Sequence, residues 1–146
     1  MKRFLGLMLV ALLSLGSANA AEAGWLTDYK KAEKQAAAEN KPLVINFTGS
    51  DWCGWCIRLD KEVFSQTEFV DYAKDNVVLL KLDFPRGKPQ SDAEKKQNVE
   101  LAEKFGVQGF PTIIVLDAKA KPIGKLGYQK GGAANWIASL EKVTKK

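Results

Sequence analysis

Two cysteines, Cys53 and Cys56, are the residues of this chain whose type and spacing could do chemistry. They lie three positions apart in the stretch SDWCGWC, and the 146-residue chain has no other cysteine and no histidine. A zinc site needs four ligands, usually cysteine or histidine, so two thiols alone exclude such a site within one chain. No metal is therefore expected, and the chemistry open to the pair is interconversion between a disulfide and a dithiol.

The sequence around the pair favours disulfide exchange over a purely structural bridge. Residues 41–47 (KPLVINF) predict a buried strand before the pair, and Cys56, Leu59 and Val63 recur at helical spacing after it. Cys53 is thus expected at the exposed tip of a helix N-terminus, where free N–H groups and the helix dipole stabilise a thiolate. A bridge closing so short a loop adds little stability. An inert disulfide remains the alternative.

The first twenty residues have the layout of a secretory signal peptide. Lys2 and Arg3 precede an apolar run over 4–15, and small residues end at Ala20 in an A-x-A pattern. We expect cleavage after Ala20, which leaves residues 21–146 as one domain of ordinary size. An uncleaved membrane anchor is the alternative. Export, for example to the periplasm, would place the cysteines in a compartment where disulfides persist.

The charge pattern argues against a nucleic-acid partner. The formal net charge is only +5, and the lysines alternate with acids in KKAEK, AEKKQ and EKVTKK. This alternation is typical of solvated helix faces and not of a phosphate-binding stripe. The chain also has no flavin or nicotinamide motif.

Hydrophobic periodicity predicts an alternation of helices and strands. Trp25, Tyr29, Ala32 and Ala36 fall on one helical stripe, which predicts a first helix ending near Asn40. Further segments predict strands at 77–84, 111–117 and 121–128, the last two as a hairpin, and helices at 92–105 and 133–146.

A capping-box spacing predicts another helix after the cysteines. Ser65 is followed three residues later by Glu68, which indicates a second helix or a kinked continuation of the first.

The order of the predicted elements indicates the fold class. Helices and strands alternate in the first part of the chain, which requires parallel crossovers, and the late hairpin adds an antiparallel edge. The expected fold class is therefore α/β, with a central mixed sheet covered by helices on both faces.

These motifs together resemble the thioredoxin superfamily over nearly all of residues 21–146. The specific signal is WCGWC after a strand, followed by GVQGFPT about fifty residues later and then by KLGY. The resemblance implies a thioredoxin-like three-layer α/β/α sandwich, related to exported thioredoxin-like and DsbD-type reductase domains. It also implies that Cys53 is the nucleophile, that Cys56 resolves the mixed disulfide, and that the chain needs no cofactor besides this redox-active disulfide.

The resemblance extends to a substrate-binding region. It implies a cis peptide bond before Pro111, facing the cysteines, and a backbone at Phe110 that pairs with an extended substrate segment. Gly127 matches the glycine that lets a substrate approach from the other side. Packing of Phe110 in the core is the alternative interpretation, because apolar residues are usually packed.

Two tryptophans flank the first cysteine in WCGWC. Trp52 is interpreted as a ledge beside the thiol, whereas Trp55 is expected to be exposed and to contact partners together with Gly54. A packing role is the alternative for both indoles.

The chain departs from the cytosolic thioredoxin pattern in three places. Trp55 replaces a proline between the cysteines, and Asn46 occupies the position of a buried acid that accepts a proton from the resolving cysteine. Lys81 matches a lysine that the family places near that acid, although a snorkelling strand lysine is the alternative. The polar insertion at 85–96 is either a partner-specific loop or tolerated surface.

The resemblance and these departures imply a reductase or electron carrier. No histidine or other cation lies between Trp52 and Ile57 to stabilise the thiolate, and Asp51 would oppose it if it lay near the sulfur. The expected partners are protein disulfide substrates and a membrane-bound electron donor of the DsbD type, and we expect a monomer. The alternatives are a disulfide oxidase or isomerase in protein folding, and a non-catalytic thioredoxin-like peptide-binding module.

Overall fold

Five strands form a single mixed sheet in the computed structural model, which describes residues 24–145. The strands are β1 (Trp25–Leu26), β2 (Leu43–Thr48), β3 (Val78–Asp83), β4 (Thr112–Leu116) and β5 (Pro122–Leu126). Their order across the sheet is β1-β3-β2-β4-β5. Both β1 and β2 run parallel to β3, whereas β4 runs antiparallel to β2 and to β5. The predicted mixed sheet is therefore confirmed, with the antiparallel pairing starting at the central strand β2.

Within residues 24–145, five α-helices and one π-helical turn connect and cover these strands. The helices are α1 (Tyr29–Glu39), α2 (Gly54–Leu59), α3 (Thr67–Asn76), α4 (Asp92–Lys104) and α5 (Gly132–Thr144), and the π-helical turn Asp60–Phe64 follows α2 directly. The helices predicted near 92–105 and 133–146 are confirmed within a few residues at each end.

Two hydrophobic cores, one on each face of the sheet, account for the three-layer architecture. Strand β2 is buried throughout, and its side chains alternate between the cores, Val44 on one face and Ile45 and Phe47 on the other. The first core includes residues of α3 and α5, and the second includes residues of α1 and α4. Because β2 is fixed on both faces, its carboxyl end is a rigid support for the cysteines that follow it.

The prediction that the first helix includes Trp25 is wrong. Trp25 and Leu26 pair with Leu79 and Leu80 as a short edge strand. Helix α1 instead begins after Asp28, whose carboxylate accepts a hydrogen bond from the backbone N–H of Lys31 at 2.9 Å. Aspartate at this position satisfies one of the free N–H groups of the first turn, so the helix begins there and not at the tryptophan.

The predicted capping box at Ser65 is also wrong, although the helix it indicated exists. The N-cap of α3 is Gln66, which makes no side-chain capping bond. The hydroxyl of Ser65 instead donates to the carboxylate of Asp60 at 3.1 Å. Ser65 is the C-terminal cap of the π-helical turn, and its N–H donates to the carbonyl of Asp60. Its side chain therefore belongs to the end of one helix and not to the start of the next.

The predicted signal peptide and its cleavage site after Ala20 lie outside the described residues. Within residues 24–145, none of the helices combines the length and the apolar composition that crossing a bilayer requires.

Candidate active site

Cys53 is the N-cap of α2, as the sequence predicts. Strand β2 ends at Thr48, a short loop follows, and the Sγ of Cys53 accepts a hydrogen bond from the backbone N–H of Cys56 at 3.3 Å. The two cysteines form a disulfide, with their Cα atoms 5.2 Å apart. The first sulfur therefore lies against the free N–H groups of a helix terminus, where a negative charge on it would be stabilised.

The expectation that Cys53 lies at an exposed tip is wrong for this oxidised state. Cys53 is 8% exposed and Cys56 is 4% exposed, so both count as buried. Cys53 is bonded to Cys56 and also accepts its N–H, which holds the sulfur against the first turn of α2. Cys53 is still the more exposed residue of the pair.

Pro111 and Gly127 lie together next to the loop that carries the cysteines. The Phe110–Pro111 peptide bond is cis, and β4 begins directly after it. Thr112 pairs with Phe47 of β2, so Pro111 lies at the end of the sheet from which the chain leads to Cys53. A Cβ built on Gly127 would lie 3.9 Å from the carbonyl oxygen of Pro111, which places this glycine beside the proline.

Trp52 belongs to an aromatic cluster on one side of Cys53. Its indole N–H donates to the carbonyl of Phe84 at 2.7 Å, and its ring meets that of Phe110 edge-on at 5.9 Å between centroids. The rings of Phe84 and Phe110 are 5.0 Å apart. A Cβ on Gly49 would come within 2.5 Å of the Trp52 ring, so only glycine fits there. Phe110 packs against the second core as well, which agrees with the core alternative for its side chain.

Trp55 belongs to a second cluster, with three residues that the sequence analysis missed. Its side chain is 54% exposed, as predicted, and its ring lies 4.9 Å from that of Tyr128. The guanidinium of Arg58 lies 5.5 Å from the Trp55 centroid and 5.3 Å from the Tyr128 centroid. The carboxylate of Glu62 accepts from Arg58 Nε and from the Tyr128 hydroxyl, both at 2.6 Å. We call these four residues the Trp55 cluster.

The Trp55 cluster should loosen at acid pH. Hydrogen bonds from Tyr128 and Arg58 hold the pKa of Glu62 below its ordinary value of 4.5. A lowered folded-state pKa contributes stability that is complete above the ordinary value and is lost as the pH falls through the lowered one. We therefore expect tryptophan emission to change below about pH 4.5 in the wild type, and this component to be absent in Glu62→Gln.

Glu141 provides a matched control for this titration. Glu141 pairs with Lys145 at 2.9 Å near the end of α5, so Glu141→Gln should titrate like the wild type. Identical emission titrations for the wild type and Glu62→Gln would show that Glu62 does not hold the indole.

A polar cavity of about 130 Å³ lies behind Cys56. Asn46 and Lys81 face each other in register on β2 and β3, and both line this cavity. Asn46 is buried, and within residues 24–145 its Oδ1 has no hydrogen-bond partner. The structure therefore brings both residues to the side of Cys56, where an amide cannot accept the proton that a carboxylate would take.

Asp51 does not present its carboxylate freely to Cys53. Its two carboxylate oxygens accept from the backbone N–H groups of Arg86 at 3.0 Å and Gly87 at 2.7 Å, and these bonds lower its pKa. The insertion at 85–96 thus contacts the loop before the cysteines, a pairing across 35 residues of sequence that no local pattern indicates.

Comparison with known proteins agrees with this geometry. A family model described as a thioredoxin-like domain matches residues 29–144. Disulfide bond reductase DsbH of Chlamydia pneumoniae is 31% identical, over 80% of this chain and 70% of that protein. Thiol:disulfide interchange protein DsbD of Cronobacter sakazakii is 35% identical over 60% of this chain, but the match covers only 14% of DsbD.

Solved structures give the same result. A structure titled DsbH Oxidoreductase superposes with a TM-score of 0.80 at 29% identity, covering 94% of this chain and 95% of the other. The oxidised C-terminal domain of DsbD from Neisseria meningitidis has a TM-score of 0.58 over 78% of this chain and 90% of its own, and at 18% identity it supports the fold alone. The chain therefore belongs to the thioredoxin-like family and is one of its thiol–disulfide oxidoreductases.

Proposed function

We propose that this oxidoreductase is an exported reductase or electron carrier, with Cys53 as the attacking thiol and Cys56 as the resolving thiol. The observation that carries the proposal is the position of Cys53 at the N-terminus of α2, where its Sγ accepts the N–H of Cys56. The printed name of the relative DsbH, disulfide bond reductase, supports the same direction of electron flow.

The reaction starts from the reduced form of the pair. The Cys53 thiolate attacks one sulfur of a substrate disulfide, forming a mixed disulfide and releasing the other substrate sulfur as a thiolate that takes up a proton. Cys56, once deprotonated, attacks the Sγ of Cys53 and releases the second substrate thiol. Two electrons and two protons pass from the protein to the substrate, and the protein ends with the Cys53–Cys56 disulfide present in this structure.

The surrounding residues are assigned to substrate binding. The backbone at Phe110 and Pro111 pairs with an extended substrate segment, and Gly127 leaves room beside it. Trp52 and Trp55, on either side of Cys53, contact the segment from two sides, and Gly54 leaves the approach between them open, since a Cβ there would meet no atom within 4 Å. Asn46 and Lys81 modulate Cys56 from the cavity behind it.

The pair needs a source of electrons. We propose a membrane-bound donor of the DsbD type, a protein to which part of this chain is similar. The segment 1–20, with Lys2 and Arg3 before an apolar run, supports export. Cell fractionation with mass measurement of the protein tests this: a chain beginning at Ala21 in the periplasm supports export, whereas a chain that retains residues 1–20 and stays in the cytoplasm contradicts it.

Two assays on the same protein test the direction of electron flow, one for disulfide reduction and one for disulfide formation. With dithiothreitol as the electron source, we expect reduction of insulin disulfides, and no reduction above background by the double variant Cys53→Ser, Cys56→Ser. The oxidised protein should not accelerate disulfide formation in reduced ribonuclease. Faster oxidative refolding without insulin reduction would identify an oxidase or isomerase, and no exchange in either assay would favour a peptide-binding module.

A further inference from the structure

The tip of the insertion is attached to the loop that leads to Cys53. Besides the two N–H groups that bind Asp51, the amine of Lys88 donates to the hydroxyl of Ser50 at 3.2 Å. The side-chain amide of Gln90 donates to the carbonyl of Asp83, at the end of β3, at 3.0 Å. Four hydrogen bonds therefore hold this segment beside the cysteines, and its side chains form part of the surface that a substrate meets.

The guanidinium of Arg86, in this segment, lies over the indole of Trp52, 3.8 Å from the ring centroid. Arg86 and Arg58 are the two arginines among residues 24–145, and each lies over one of the tryptophans that flank Cys53. The guanidinium of Arg58 is paired with Glu62, whereas the guanidinium of Arg86 has no ion-pair partner within the described part of the chain. A guanidinium stacked by its face keeps its N–H edge available for a carboxylate.

On this side of Cys53, the acidic side chains are bonded within the loops, whereas the basic side chains are exposed to solvent. The carboxylate of Asp51 accepts N–H groups of the insertion, and that of Asp83 accepts the N–H and the hydroxyl of Ser50, so both acids are engaged within the loops. Arg86 and Lys88 are exposed. The charged side chains that are exposed to a docking segment at this edge are therefore the two cations.

We propose that Arg86 and Lys88 form a basic rim that selects protein substrates carrying acidic residues next to their disulfide. A substrate carboxylate binds the N–H edge of Arg86, while Trp52 supports the guanidinium from its other side. The inference rests on the proposed function, because it names the substrate class of the same site. An exposed charge pair of this kind changes a rate by about fivefold at low salt.

The test compares two synthetic peptides that differ only beside their single disulfide. One carries two glutamates there, and the other carries two glutamines. The second-order rate constant for reduction by the reduced protein is measured for each, and bis(2-hydroxyethyl) disulfide, which is neutral, is measured with every variant to correct for changes in thiol reactivity. We expect the glutamate peptide to react about fivefold faster, and this ratio to shrink as salt is raised.

Variants of the basic rim test whether Arg86 and Lys88 cause the preference for the glutamate peptide. The double variant Arg86→Gln, Lys88→Gln should bring the ratio of the two rates to about one, and Arg86→Glu should invert it. Lys119 lies in the β4–β5 turn, at the opposite end of β4 from Pro111, so Lys119→Glu should keep the wild-type ratio.

Each outcome of this experiment decides the inference. Equal rates for the two peptides in the wild type, or a preference that survives Arg86→Gln, Lys88→Gln, would overturn the basic rim and leave the reductase intact. Absence of reaction with both peptides and with the neutral disulfide would remove the proposed function, and the rim with it.

Discussion

Replacing Cys53 by serine is expected to reduce disulfide exchange to the rate without protein, whereas Cys56→Ser should stop the reaction halfway. In the proposed mechanism Cys53 supplies the thiolate that attacks, because it lies at the N-terminus of α2 and is the more exposed of the pair. Without the thiol of Cys56, the mixed disulfide on Cys53 has no internal sulfur to resolve it. Reduced Cys56→Ser protein should therefore accumulate a covalent complex with a peptide disulfide, detected by mass spectrometry.

The reciprocal variant supplies the control for this trapping experiment. In Cys53→Ser the remaining thiol is that of Cys56, a residue that is only 4% exposed in this structure and lies beside the buried Asn46. It should trap the same peptide far more slowly. Equal trapping through Cys56 would contradict the assignment of the two roles.

The largest stability loss from a single truncation is expected at Trp136, in α5. Its side chain is fully buried and meets the rings of Phe64 and Phe69 at 5.2 and 5.7 Å between centroids. Its indole N–H donates to the carbonyl of Gly127 at 3.0 Å. Trp136→Ala should lower the free energy of unfolding by about 3 to 5 kcal/mol, a large share of the roughly 5 to 15 kcal/mol of an ordinary domain.

Trp55→Ala is the matched control, because it removes the same side chain from the surface. Trp55 is 54% exposed, and its ring lies 4.9 Å from that of Tyr128 and 5.5 Å from the guanidinium of Arg58. Its loss should cost about 1 kcal/mol or less. Denaturant unfolding of both oxidised variants measures the difference, and equal losses would contradict the placement of Trp136 in the core.

The parts of this fold that follow from local patterns were predictable from the sequence. Strand β2 and the helix after the cysteines follow from β-forming residues and helical spacing, so the N-terminal position of Cys53 is confirmed. The start of α1 was not predicted correctly, because the periodicity of Trp25 and Tyr29 outweighed the capping signal of Asp28. A polar residue just before a run of helix formers is the better guide to where a helix begins.

The surroundings of the cysteines depend on contacts between distant segments, which periodicity cannot predict. Tyr128 bonds to Glu62 across 66 residues, and Asp51 bonds to the insertion across 35 and 36 residues. These contacts depend on the order of strands in the sheet and on the path of the insertion. The sequence marks Arg58 and Arg86 only as rare arginines in a lysine-rich chain, and it does not indicate which rings they contact.

The reduction potential of the Cys53–Cys56 pair tests the proposed reductase most directly. The chain has no histidine, the N–H of Cys56 bonds to Cys53 Sγ, and the guanidinium of Arg58 is paired with Glu62. The thiolate thus lacks the strong stabilisation that makes an oxidant, whose potential is near −120 mV. Equilibration against glutathione should give a value between roughly −200 and −270 mV. A value above about −150 mV would contradict the reductase and identify an oxidant.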